Sequence, residues 1–312
     1  MARNTKVTTE ITSLFSALDV QTKALVKESA KKEVDRLLKS IKTKEKELNE
    51  ALRVGKKLNV ISSNGQHSVN GLKHKSLEKL ITLCANRLPV LMVGMAGTGK
   101  THAAEQVAEG LGLNFYAISV GAQTSKSDIM GYMHANGGYV ETLFRKAYEH
   151  GGVFLVDEID AGNSNVLVQI NAALSNTYCA FPDKMVKKHD DFVFVASANT
   201  FGFGANRLYV GRNQLDAATL DRFTVLVWEI DEKLEENLIA NNTKWLKVVR
   251  ACREQVAKEE IRTLVTPRAT IRGAKLLESG MEFSEALDLA ILNSIPADRQ
   301  ASIRETAESA WR

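Results

Sequence analysis

Proline is scarce in this chain of 312 residues: there are four, and none precedes Pro89. Cysteine is scarcer. Cys84, Cys179 and Cys252 lie far apart, form no CxxC pair and are odd in number, which argues against a disulfide framework or a zinc site. They read as small buried hydrophobes in a reducing cytoplasm. No apolar run is long enough to span a bilayer, and Met1–Lys6 lacks the apolar core of a signal peptide. Aromatic residues are few, at 6%, and no aromatic-plus-basic ladder suggests stacking on single-stranded nucleic acid. The six histidines do not cluster with carboxylates at metal-ligand spacing.

What is present is charge, and it is uneven. The net charge is +4. Residues 1–75 carry 16 Lys and Arg against 8 Asp and Glu, whereas residues 76–312 carry 25 against 29. The basic excess belongs to the N-terminal part, as a solvated lysine-rich helix face or a contact for nucleic acid or an acidic protein.

The length suits one large or two ordinary domains. Residues 1–58 read as a helical extension. From about Asp19 to Leu58, Val34, Ile41 and Leu48 are spaced by seven with Leu38 and Leu52 offset by four, a short coiled-coil-like seam that Glu45 interrupts. Residues 59–71 are polar with two glycines and read as a linker. A helix over about Lys73–Asn86 follows. Apolar runs at Val90–Val93, Phe115–Val120, Val153–Val156, Phe192–Ala196 and Thr224–Trp228 then alternate with helical patterns. Such runs mean parallel strands buried on both faces, an α/β domain over residues 72–230. After Asp231 only helical patterns remain, a small all-α domain over residues 231–312, with Pro267 and Pro296 at first helical turns.

Three strand ends carry the chemistry. Gly94-Met95-Ala96-Gly97-Thr98-Gly99-Lys100-Thr101 follows the run Val90–Val93 and opens a helix. A glycine loop between strand and helix makes a nest of backbone N–H groups at a helix N-terminus, suited to nucleotide phosphates. Lys100 would reach the β and γ phosphates, and the Thr101 hydroxyl would ligand Mg²⁺. Val153–Val156 leads into Asp157 and Glu158. Asp157 would hold Mg²⁺ through its waters, and Glu158 would polarise a water attacking the γ-phosphate. Phe192–Ala196 leads through Ser197 and Ala198 to Asn199, which could bond that water or the γ-phosphate.

Taken together, GMAGTGKT, VFLVDEID and FVFVASANT resemble the Walker A, Walker B and first sensor motifs of AAA+ ATPases. The finer resemblance, over about residues 60–280, is to the MoxR and dynein-related branch. Within it the chain is similar to cobaltochelatase small ATPase subunits and NorQ/CbbQ-type activators. Gly131…Gly137-Gly138-Tyr139-Val140, Asn176-Thr177-Tyr178, and the run from Leu208 to Phe223 carry that likeness.

The resemblance implies a P-loop NTPase sheet with an all-α lid, hydrolysing ATP with Mg²⁺ in a ring, most simply a homo-hexamer. It implies a protein client, reached through a von Willebrand A domain adaptor. Arg222 falls where the family places its trans-acting arginine finger, with Arg207 and Arg212 as rivals. Arg268 matches the second sensor at the start of a lid helix. Two hairpins, one around Asn136-Gly137 and one over Phe181–His189, match family inserts that face the pore or the partner, with Tyr132, Met133, Lys187 and Lys188 as exposed candidates. Two other functions stay open: a nucleic-acid motor or helicase loader using the basic N-terminal region, and a scaffold that ATP locks without turnover.

Overall fold

A computed structural model describes residues 31–44, 58–62, 64–239 and 242–312. Two compact units divide the chain, residues 1–53 and residues 54–312. In the first, residues 31–44 form helix α1, with Val34, Leu37, Leu38 and Ile41 all exposed. The rest of the heptad seam, Leu48 and Leu52, lies outside the described residues.

The second unit opens with a hairpin of β1 (Leu58–Ser62) and β2 (Gly65–Val69), paired antiparallel around Asn64-Gly65. This corrects the reading of residues 59–71 as a linker. Val60 and Val69 are buried in the core beside helix α3 (Lys100–Leu111), where Gly110 leaves room for both. The polar residues between them occupy the solvent face, so composition hid a period-two pattern. After α2 (Leu77–Ala85), a five-stranded sheet forms from β3 (Val90–Val93), β4 (Phe115–Ser119), β7 (Gly152–Asp157), β10 (Phe192–Ala198) and β11 (Thr224–Val227). Its order is β11-β3-β10-β7-β4, and every neighbour pair is parallel.

Burial alternates along the central strands as a sheet covered on both faces requires. Phe192, Phe194, Ala196 and Ala198 of β10 join one core with Phe154 and Val156, while Val193 and Val195 join the other with Val153 and Leu155. The first core takes in α4 (Lys126–Met130), α5 (Leu143–His150) and α6 (Ser164–Ser175); the second takes in α2 and α3. The hairpin around Asn136-Gly137 is present, and the second begins earlier than the expected Phe181–His189, with its first strand at Tyr178–Ala180. β5 (Tyr132–Met133) pairs with β6 (Tyr139–Val140), and β8 (Tyr178–Ala180) with β9 (Met185–Lys187). Buried Arg145 of α5 ties them together. It bonds Glu149 at 2.7 Å and Asp183 of the second hairpin at 2.8 Å, and lies over the rings of Tyr139 and Phe181.

Helix α7 (Ala217–Leu220) precedes β11, and five more follow: α8 (Glu232–Leu238), α9 (Thr243–Lys258), α10 (Pro267–Glu278), α11 (Phe283–Ala290) and α12 (Ala297–Trp311). The last four enclose a third, separate core built on Trp245, Val249, Cys252, Leu287 and Ile303. Pro267 is the first residue of α10, capped by Thr266, whereas Pro296 precedes α12 as its cap residue rather than lying within its first turn. All three cysteines are free and buried. No helix among the described residues is long and apolar enough to cross a membrane.

Candidate functional site

Strand order decides the site. The glycine loop leaves β3 and the acid pair leaves β7, but β10 runs between them, so Asn199 emerges at the middle of the carboxyl edge. Ligands bind at that edge of an open α/β sheet. The three motifs, separated by up to about a hundred residues in sequence, meet there.

The loop is held from beneath. Gly94 N–H donates to Ala198 O at 3.1 Å, and a Cβ on Gly94 would lie 1.8 Å from Trp228 O, so no side chain fits. Gly99, the residue before α3, has φ of 86°, a left-handed conformation that costs glycine little. Thr98 closes the loop with a hydroxyl bond to Met95 O at 2.8 Å. Ala96 N–H donates to the Tyr209 hydroxyl at 3.0 Å.

Lys100 is 7% exposed. Its ammonium donates to Gly94 O at 2.7 Å, Met95 O at 2.9 Å and Asn199 Oδ1 at 3.1 Å. Burial is the main reason its pKa is pushed down to about 8, against the upward pull of Asp157, Asp160 and Glu158. An ammonium so placed gains when an anion arrives. Beside it, the Thr101 hydroxyl donates to Asp157 Oδ2 at 2.8 Å, and Ser197 bonds the other carboxylate oxygen. The two groups read as metal ligands are therefore already in contact. Glu158 stands one residue further out, its side chain about half exposed, with φ of 57° and ψ of 41°.

Two features escaped the sequence reading. Asp160 is fully buried, and its Oδ2 accepts from Asn199 N–H (3.1 Å), Thr200 N–H (2.9 Å) and the Thr200 hydroxyl (2.9 Å). It builds the turn that aims Asn199. Its only sequence signal was a third acid after the Asp157–Glu158 pair. The other is a cavity of about 400 Å³ beside Gly97–Gly99, lined among others by Leu72, His74, Ile230, Leu234 and Ile271. His74 stacks on Trp228 with ring centroids 4.0 Å apart. This cavity is mostly apolar and lies between the segment around Leu72–His74, the glycine loop and helices α8 and α10.

The arginines separate. Arg268 lies against the loop, its Cγ and Cδ within 3.3 Å of where a Gly97 Cβ would stand. Arg222 is exposed, bonded to Ser175 Oγ at 3.0 Å and to Ala218 O. Arg207 pairs with Glu260, which lies between α9 and α10, at 3.3 Å. Arg212 turns inward, 3.2 Å from Glu158 and 3.5 Å from Asp160 of its own chain.

A glycine loop around a buried lysine and an acid-tipped strand two places away, with Arg268 of the C-terminal helices against the loop, make the site of an ATP hydrolase. Residues 89–223 match the AAA domain (dynein-related subfamily). The chain is 24% identical over 253 residues to the aerobic cobaltochelatase subunit CobS of Sinorhizobium sp, covering 73% of this chain and 76% of that one. It is 23% identical over 230 residues to Protein NorQ of Paracoccus denitrificans, covering 69% and 83%. A Thermotoga maritima RuvB structure aligns over 75% of this chain and 69% of its own, with 17% identity and a TM-score of 0.46. Over residues 89–223 the chain is similar to the dynein-related AAA domain, and over most of its length to the two relatives.

Proposed function

We propose that the chain is a Mg²⁺-dependent ATPase that works in a ring, most simply a homo-hexamer, and spends hydrolysis on remodelling or activating a protein partner. Residues 72–230 are its nucleotide-binding domain and residues 231–312 its lid. The triphosphate lies along the N–H groups of Gly94–Thr101 with Lys100 on the β and γ phosphates, and the base enters the apolar cavity beside His74. A hydroxyl and a carboxylate already in contact, Thr101 and Asp157, are the hard oxygen donors Mg²⁺ takes, so the residues present fit that ion. Held there by Thr101 and Asp157, Mg²⁺ would supply neutralisation of phosphate charge.

Glu158 and Asn199 orient the attacking water. Asn199 is held both by Lys100 at its side chain and by Asp160 at its backbone, so its aim and that of the lysine are coupled. Arg222 acts in trans on the nucleotide of a neighbouring copy, which its exposure and distance in sequence from the cis groups allow. Arg268, lying on Gly97 from the lid side, reports nucleotide state to the lid. Lid movement then shifts the two hairpins that Arg145 joins, with Tyr132, Met133 and Lys187 toward the partner; Lys188, expected to be exposed, is half-buried and its ammonium donates to Leu174 O at 2.9 Å. The client is a protein, with a von Willebrand A domain adaptor as the route suggested by family resemblance, in a cytoplasmic setting.

The observation that carries this reading is the buried Lys100 ammonium shared between the glycine loop and Asn199. Its test is nucleotide binding to Lys100→Ala, which should be lost. Glu158→Gln should bind ATP without turnover, sediment as a ring and retain the partner in a pull-down. An unchanged affinity in Lys100→Ala refutes the site. Steeply salt-dependent nucleic-acid binding that disappears in a 59–312 chain would favour the motor reading instead, and full biological activity of Glu158→Gln would favour the scaffold.

A further inference from the structure

The loop after β10 returns to the site and holds the lytic acid. Arg212 on this loop is 13% exposed at its side chain and grips Glu158 with two prongs: Nη1 to Oε2 at 3.4 Å and Nη2 to Oε1 at 3.2 Å. Its Nη1 also lies 3.5 Å from Asp160 Oδ1, a buried oxygen that accepts no hydrogen bond. The two carboxylates differ in freedom. Asp160 is fixed by three bonds through its other oxygen, and Asn213 N–H donates to its backbone carbonyl at 2.7 Å. The Glu158 side chain is about half exposed and has no comparable anchor of three bonds. Arg212 is therefore anchored on one acid while holding the other.

The loop itself is tied at both ends of the site. The Tyr209 hydroxyl accepts from Ala96 N–H in the glycine loop. Arg207 pairs with lid residue Glu260, and Arg262 of the lid donates to Arg207 O at 2.8 Å. The same short segment thus touches the phosphate loop, the lid and the water-orienting acid.

We propose that Arg212 is a positioning residue in cis that latches Glu158. The guanidinium fork engages both carboxylate oxygens and withdraws charge from them, so the acid polarises water poorly until the fork opens. Movement of the lid or the glycine loop reaches the fork through Arg207 and Tyr209. This inference rests on Glu158 acting on the attacking water. A half-exposed fork of this kind holds back about three- to tenfold of the free population.

The test is Arg212→Lys, which keeps a cation near Asp160 but cannot fork. Arg212→Gln is the second variant, should lysine disturb the turn. Three quantities are read: kcat and KM for Mg-ATP, melting temperature, and amide exchange over residues 157–162 in the nucleotide-free protein. The latch requires kcat to rise about three- to tenfold with KM within twofold of wild type, and exchange at Glu158 and its neighbours to quicken. A folded variant with unchanged or lower kcat, or unaltered exchange, overturns the latch. Wild-type protein without Lys100-dependent hydrolysis would refute the ATPase reading itself, whereas a hydrolysing wild type with unaltered variants refutes only the latch.

Discussion

Asp160→Ala is the substitution most revealing of how the site is built. The carboxylate is fully buried and takes three hydrogen bonds on one oxygen, from Asn199 N–H, Thr200 N–H and the Thr200 hydroxyl. Truncation leaves two backbone donors and a hydroxyl without their acceptor and removes one partner of Arg212. Each stranded buried donor costs about 1–3 kcal/mol, so with partial rescue by entering water the sum is about 3–5 kcal/mol. For a domain of this size each kcal/mol lowers Tm by about 2–4 °C, giving a fall of roughly 6–20 °C. Asp160→Asn keeps an oxygen for the same three donors but turns an amide N–H₂ toward Arg212 in place of a carboxylate oxygen, a smaller loss because Arg212 keeps Glu158. The assay is thermal unfolding of the three proteins without nucleotide, with ATP affinity and kcat beside it. In Asp160→Ala the Asn199 turn loses its support, so kcat should fall at least about tenfold while nucleotide affinity changes little. An alanine variant within about 1 kcal/mol of wild type, or an asparagine variant as damaged as the alanine one, would refute the organising role.

Gly94→Ala places a methyl group 1.8 Å from Trp228 O and should abolish nucleotide binding, read by equilibrium dialysis, even where the sheet survives. Mixing Arg222→Ala with Lys100→Ala, each inactive alone, should restore part of the ATPase activity, because mixed rings contain some interfaces with both residues intact; no recovery in mixed rings argues against action in trans. Hydrogen bonds from Arg145, then Lys184, hold the Glu149 carboxyl down at about 2 against an ordinary value of 4.5. A depressed carboxylate stabilises the fold above its unfolded pKa and loses that contribution as pH falls from about 4.5 to 2. At most about 3 kcal/mol is at stake. The Tm gap between wild type and Glu149→Gln should be widest near neutrality and close by about pH 2, and a gap independent of pH would count against the Arg145 tie.

Much of the fold could be read along the chain. Val90–Val93, Val153–Val156 and Phe192–Ala196 are continuous apolar runs, and only a strand buried on both faces needs that composition. Asn136-Gly137 marked its hairpin because few other pairs adopt that turn at low cost. The first hairpin went unread although Asn64-Gly65 carries the same signal. Its strands are largely polar, and only Val60 and Val69 reveal a buried face.

Sequence alone determined the parts of the site: a glycine loop, a lysine, an acid pair and an asparagine, each at the end of a strand, because local backbone geometry demands those residues within a few positions. It could not determine how they meet. The insertion of β10 between β3 and β7, which brings Asn199 to Lys100, follows from which apolar faces pack best across the whole sheet. The contacts of Asp160 and Arg212 were decided in the same way. A buried carboxylate must find donors wherever the fold supplies them, and these came from β10 and a loop about fifty residues away. Two arginines ten residues apart, Arg212 and Arg222, look alike in the chain, and only tertiary packing turned one inward onto an acid and left the other on the surface.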